Sequence, residues 1–110
     1  MQTKECSIEA TLRTVGDRWT LLILRNIFRG IKRFETIQKD LGIARNLLSK
    51  RLHHLVENEV IERFLYQEKP NRYEYKLTDK GRALSPSLIA LMQWGDQWCS
   101  SEEPLVKLVH

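Results

Sequence analysis

The 110-residue chain carries 18 Lys+Arg against 14 Asp+Glu, a formal net charge of +4, with 42% hydrophobic and 29% charged residues. That balance excludes a disordered or fibrous chain and fits one globular domain over residues 1–110. Two cysteines, Cys6 and Cys99, are too few for a secreted disulfide framework. No apolar run approaches the roughly 20 residues of a membrane span, and Met1–Cys6 lacks the apolar stretch of a signal peptide, so a cytoplasmic protein with no membrane partner is expected.

Ser7–Thr14 reads as a short first helix, with Ile8, Leu12 and Val15 at helical spacing. Gly16 breaks it. Asp17 is a good N-cap for a second helix, Arg18–Phe28, because its carboxylate can accept orphan backbone N–H groups. Trp19, Leu22, Ile23 and Ile27 form the apolar stripe of that helix, and Gly30 stands where a glycine ends a helix. A third helix, Phe34–Leu41, stops at Gly42 in the same way. A fourth, about Ala44–Asn58, buries Leu48, Leu52, Leu55 and Val56. The period then switches from 3.6 to 2. Val60–Tyr66 and Arg72–Leu77 read as two strands around a Pro70-Asn71 turn. Thr78 caps a long last helix through about Trp98, which Pro86 either kinks or effectively starts.

Two helices joined by a tight turn at Gly42-Ile43, followed directly by a hairpin, match a winged helix-turn-helix. The expected class is therefore mainly α (α+β), with a two-stranded wing. Charge distribution agrees. Residues 13–54 hold ten Lys/Arg against three acids, Asp17, Glu35 and Asp40, a net of +7, so the rest sums to −3. A basic half of this kind points to a polyanion, here double-stranded DNA.

On a helical wheel the apolar residues of the fourth helix fall in one arc. Asn46, Lys50, His53 and Glu57 lie opposite, with Arg45, Ser49 and His54 on the flanks. Arg45, Asn46 and Ser49 come early, where a recognition helix reaches base edges. Lys50, His53 and His54 are better placed for the phosphate backbone. Arg51 falls beside the core, as a structural residue with Glu35 or Glu59 as its ion-pair partner. Leu47 is an outlier, packed on the preceding helix or touching DNA. In the wing, Lys69, Asn71 and Arg72 are the candidates, with Arg72 suited to a narrow minor groove.

Leu84, Leu88, Leu91, Met92 and Trp98 recur at helical spacing in the last helix, widened by Ile89 and Trp94. That is more apolar surface than one side of a small domain needs, which suggests a homodimer. Cys6 stands at a helix start near Lys4, and both the helix dipole and that cation favour thiolate. Cys6 and Cys99 are either packing residues or a reactive pair. Adjacent His53 and His54 cannot share a helix face, so no metal site is expected. Nor is a cofactor or an enzyme: the sequence has no Gly-rich phosphate loop, nucleophile elbow or HExxH.

Several segments together carry a family resemblance. They are Cys6, the run Gly16-Asp-Arg-Trp-Thr-Leu-Leu-Ile-Leu-Arg25, Gly30–Phe34, Leu41–Leu52 and Tyr66–Gly81. With these the chain resembles the HxlR family of small bacterial transcription regulators. The resemblance implies a homodimer built mainly from the first and last helices, with Ile8, Leu12, Leu88, Leu91, Met92 and Trp98 at its interface. It implies binding to a palindromic operator; repression is the expected sign because occupying a promoter needs no further contact. Across such a dimer Cys6 could approach Cys99, and some family members sense oxidants or electrophiles through thiols of this kind. The effector, small molecule or oxidant, is not legible. Two other readings are a thiol-based sensor of the same fold and a winged-helix protein-interaction module without DNA. Two positions depart from the family pattern. Ala44 replaces a common Ser and is a poorer cap, and Glu59 replaces a common Gly, so Asn58 is expected to take the left-handed conformation instead.

Overall fold

The computed structural model describes residues 6–99. Among these the order is α1 (Ser7–Val15), α2 (Arg18–Phe28), α3 (Phe34–Leu41), α4 (Arg45–Glu57), β1 (Ile61–Gln67), β2 (Arg72–Leu77), α5 (Asp79–Arg82) and α6 (Ser85–Trp98). This is the mainly helical winged helix-turn-helix that the pattern predicts. Its core is Val15 of α1, Ile23, Leu24 and Ile27 of α2, Ile37 of α3, Ile43 in the turn before α4, Leu48, Leu52 and Leu55 of α4, and Val60, Ile61 and Tyr75 in and beside the sheet. Ile23, Leu24, Ile37, Leu48 and Leu55 are wholly buried, so the α2–α3–α4 packing fixes the orientation of α4.

Local chemistry explains the boundaries. Asp17 caps α2, with its carboxylate accepting from the Thr20 N–H at 3.1 Å and the Thr20 hydroxyl at 3.3 Å. Gly42 takes φ 66° at the end of α3, and its N–H donates to Gln38 O at 2.8 Å. A left-handed residue there lets the chain reverse in the few residues before α4. β1 and β2 pair antiparallel, Ile61 opposite Leu77 through Leu65 opposite Tyr73, with an irregularity between Leu65 and Gln67. Arg33 adds a bridge to Glu74, and the Tyr75 N–H donates to Lys32 O at 2.8 Å. The loop before α3 thus widens the sheet on the β2 side.

Three sequence expectations need correction. The last helix is not continuous. Thr78 caps only the short α5, accepting from the Gly81 N–H at 3.0 Å, and α6 begins afresh at Ser85 with Pro86 in its first turn, the second of the two roles expected of Pro86, where a missing N–H costs nothing. Asn58 is not left-handed, because its φ is −91°, and Glu59 takes φ 60° instead. Arg51 pairs with neither Glu35 nor Glu59. Its Nε lies 3.1 Å from Asp17 Oδ2 and ties α4 to the cap of α2. With both side chains about a third exposed, such a pair contributes about 0.5–1 kcal/mol.

Candidate nucleic-acid interface

Helix α4 presents its polar face beside the sheet. Asn46, Ser49, Lys50 and His53 line one groove with Val56, and Arg63 and Tyr75 close it from β1 and β2. Lys50 and His53 stand at the exposed middle of this face, after Asn46 in the first turn. Inside the groove Lys50 has no carboxylate partner among the described residues. His53 does: its Nε2 lies 3.4 Å from Glu57 Oε2 one turn on. The first turn of α4 has no acidic residue, and Ala44 offers no side-chain cap. The positive end of the helix dipole therefore remains unneutralised beside Arg45, Asn46 and Ser49.

Arg45 is exposed and lies over the Phe34 ring at 4.8 Å, so the α3 aromatic fixes its direction. Leu47 packs against the core, the first of its two alternatives. His54 is turned the other way from the groove. It is half-buried, and its Nε2 lies 2.9 Å from Thr14 O. A carbonyl only accepts, so the ring must donate, and His54 serves to hold α1 on α4. That placement removes it from the phosphate-contacting set expected from the wheel.

The wing is less uniform than its sequence. Lys69 and Asn71 are exposed at the tip, with Lys69 at φ 54°. Arg72 opens β2 opposite Gln67 and is half-buried, with its Nε unpartnered. Neighbouring cations are already engaged. Arg33 lies over the Tyr66 ring at 4.1 Å and 3.7 Å from Glu74, and Tyr66 itself donates to Glu35 at 3.4 Å. These bonds brace the wing against α3.

Arg63 went unremarked in the sequence, where it looks like any strand residue. It is exposed, lies over the Tyr73 ring at 4.1 Å and faces the α4 groove. Burial pushes the Tyr75 phenol up, while the charge and hydrogen bond of Arg63 oppose that rise. Only the strand register, which sets Arg63 opposite Tyr75, could have pointed to this cluster.

Helices α1 and α6 both leave large apolar side chains exposed. Ile8 and Leu12 of α1 are 69% and 57% exposed, and α6 leaves Ile89, Leu91, Trp94 and Trp98 between 46% and 66% exposed. Leu88, like Leu84 of the same stripe, packs on the core of its own chain, and Met92 is half-buried. Cys6 is exposed at the start of α1, and Cys99 is exposed at the end of α6. The Cys6 thiol sits below its ordinary range because the backbone N–H groups of Glu9, and then Ile8, face the sulfur. Among the described residues no cluster of His, Cys, Asp or Glu could hold a metal, and no helix is long and apolar enough to cross a membrane.

Known proteins similar to this chain in sequence and shape are transcription regulators by description. The uncharacterized HTH-type transcriptional regulator Rv3095 of Mycobacterium tuberculosis is 47% identical over 105 residues, which cover 94% of this chain and 66% of that protein. The chain therefore spans just under two thirds of the length of this relative. The HTH-type transcriptional regulator YodB of Bacillus subtilis is 36% identical over 93 residues, 84% of this chain and 83% of its own. The structure of reduced YodB superposes with a TM-score of 0.72 at 34% identity, covering 88% of this chain and 97% of that one. YodB has also been solved after diamide treatment, with a TM-score of 0.67. PA1607, described as a candidate transcription factor, matches with a TM-score of 0.87 at 42% identity, over 98% of this chain and 76% of that one. The model of HxlR-like helix-turn-helix proteins matches residues 14–103, from the end of α1 through all of α6, and the chain belongs to the HxlR family of helix-turn-helix regulators.

Proposed function

We propose that this protein is a cytoplasmic, non-enzymatic transcription regulator that binds a palindromic operator as a homodimer and represses by occupying it. One observation carries the reading: α4 brings Asn46, Ser49, Lys50 and His53 to a single groove, with Arg45 at its head. Helix α4 enters the major groove. Arg45, Asn46 and Ser49 read base edges, and Lys50 and His53 hold phosphates. Lys69 and Asn71 meet the flanking backbone at the wing, and Arg72 reaches the minor groove if its side chain swings out of its half-buried position. The apolar faces of α1 and α6 supply the dimer contact, through Ile8, Leu12, Leu91 and Trp98, with Leu88 and Met92 contributing less. Two α4 helices are then held at the spacing of half-sites one DNA turn apart.

The test is selection of bound sequences from random duplex DNA, with and without reductant. A palindromic consensus supports the reading, and no enrichment even at low salt contradicts it in favour of a protein-interaction module.

A second reading adds thiol control to the same regulator. It is favoured by the exposed, low-range Cys6 thiol and by the described reduced and diamide-treated forms of YodB. In this reading an oxidant takes two electrons and two protons from Cys6 of one subunit and Cys99 of the other, joining the sulfurs and distorting half-site spacing. DNA release under diamide in the wild type, absent in Cys6→Ser, supports it. Equal behaviour of the two proteins removes it.

A further inference from the structure

Several cations of the fold are already paired within it. Arg25 pairs with Asp40, Arg33 with Glu74, Arg51 with Asp17 and Arg82 with Asp79. Each of these charges is neutralised within the fold. Arg45, Lys50 and Arg63 have no carboxylate partner among the described residues, and all three border the polar face of α4. Arg63 is the one of the three that lies off the helix.

We propose that Arg63 is a DNA phosphate contact, set on the sheet to grip the strand that borders the α4 groove. The inference rests on the reading of α4 as the recognition helix. When α4 lies in the major groove, a phosphodiester strand walls each side of that groove. The sheet stands beside α4, so its inward-facing residues meet one wall. Ile61, Arg63 and Leu65 alternate onto one face of β1, with Ile61 opposite Leu77 and Arg63 opposite Tyr75 in the pairing. Ile61 and Tyr75 are buried, so Arg63 is the first residue along β1 on this face to emerge from the core.

Its setting suits a phosphate. The Arg63 guanidinium carbon lies over the Tyr73 ring at 4.1 Å, and this contact holds the group without committing its N–H donors to a carboxylate. Those donors, beside Tyr75 across the strand pair, keep the fork geometry that grips phosphate oxygens. The ring also limits the rotamers of a flexible side chain, which lowers the entropy lost on binding. No carboxylate has to be displaced first. Lys50, on the same groove, would share the same strand.

The experiment uses the full chain, the selected duplex and a random duplex of equal length, titrated across salt. Wild type, Arg63→Gln, Arg63→Lys and Asn46→Ala are compared. Arg63→Gln should weaken both duplexes by the same factor, roughly tenfold for one lost charge-assisted bond. It should also lower the salt slope by about 0.9. Arg63→Lys keeps the charge and should restore the slope, though not all of the affinity. A purely structural role for Arg63 would leave the slope unchanged and overturn the proposal. So would a changed specific-to-random ratio, which marks a base contact. If Asn46→Ala loses discrimination while Arg63→Gln keeps the wild-type affinity and salt slope on both duplexes, α4 still reads DNA and only the Arg63 assignment falls. If wild type binds no duplex at low salt, both fall.

Discussion

Replacing Glu59 with glycine should stabilise the domain. Helix α4 ends with the Glu59 N–H donating to Val56 O and the Val60 N–H to Leu55 O, both at 3.0 Å. Helix α2 ends on the same pair of bonds, Gly30 to Ile27 O at 3.0 Å and Ile31 to Asn26 O at 2.8 Å. This is one helix-ending motif used twice, and its left-handed position holds Gly30 at φ 89° in one case and Glu59 at φ 60° in the other. A left-handed L-residue costs about 1–2 kcal/mol. Glycine returns about 0.5–1 kcal/mol of that through its freer unfolded chain. The Glu59 side chain makes no hydrogen bond or ion pair among the described residues, so its loss removes nothing else. The net gain is about 0.5–1 kcal/mol, which for a domain of this size raises Tm by roughly 2–8 °C. Asn58→Gly is the control: Asn58 has φ −91° and its Nδ2 donates to His54 O at 2.9 Å, so glycine there should destabilise. The assay is thermal unfolding by circular dichroism at one protein concentration. A Glu59→Gly protein that melts at or below wild type, or an Asn58→Gly protein that melts above it, refutes the reasoning.

Leu91→Glu should abolish the proposed dimer while sparing the monomer fold, because Leu91 is 56% exposed in the single chain and a charge cannot be buried unpaired at an interface; an unchanged sedimentation coefficient would count against the α6 contact. Gly81→Ala should cost about 1–3 kcal/mol in urea unfolding, since an added Cβ would stand well inside contact distance of the Val60 carbonyl oxygen. An unshifted midpoint would contradict that close approach. The Cys6 thiol, held below its ordinary range by backbone N–H groups, should be alkylated by iodoacetamide faster at neutral pH in the folded chain than in urea. The sign follows because melting α1 removes those donors, raises the pKa and lowers the thiolate fraction. Equal rates would show that the helix start does nothing for Cys6.

Much of this arrangement is written locally. Asp17, Gly30 and Gly42 punctuate α2 and α3, and both helices run between the residues those signals predict. The polar face of α4 follows from its wheel, which brings Asn46, Ser49, Lys50 and His53 together. What the sequence withheld depends on contacts between distant segments. His54 looks as polar and available as His53, but α1 reaches it from 40 residues earlier in the chain. Arg51 finds Asp17 rather than Glu35 or Glu59 because α2 and α4 meet at the cap. At Glu59, Thr78 decides: its hydroxyl donates toward Glu59 O at 2.6 Å and Val60 O at 3.0 Å and holds the turn that Asn58 was expected to make. Arg63 acquires its setting from Tyr73 and Tyr75 across the hairpin, which no period within β1 could reveal.

Helix α4 is proposed to read bases with its early residues and to hold phosphates with its later ones. Competition between the selected duplex and a random one, measured for wild type, Asn46→Ala and Lys50→Ala across salt, tests it most directly. Asn46→Ala should lower discrimination by roughly 1–3 kcal/mol and leave the salt slope alone. Lys50→Ala should weaken both duplexes alike and flatten the slope by about 0.9. An Asn46→Ala protein with the wild-type specific-to-random ratio would contradict the assignment of α4 as the base-reading helix.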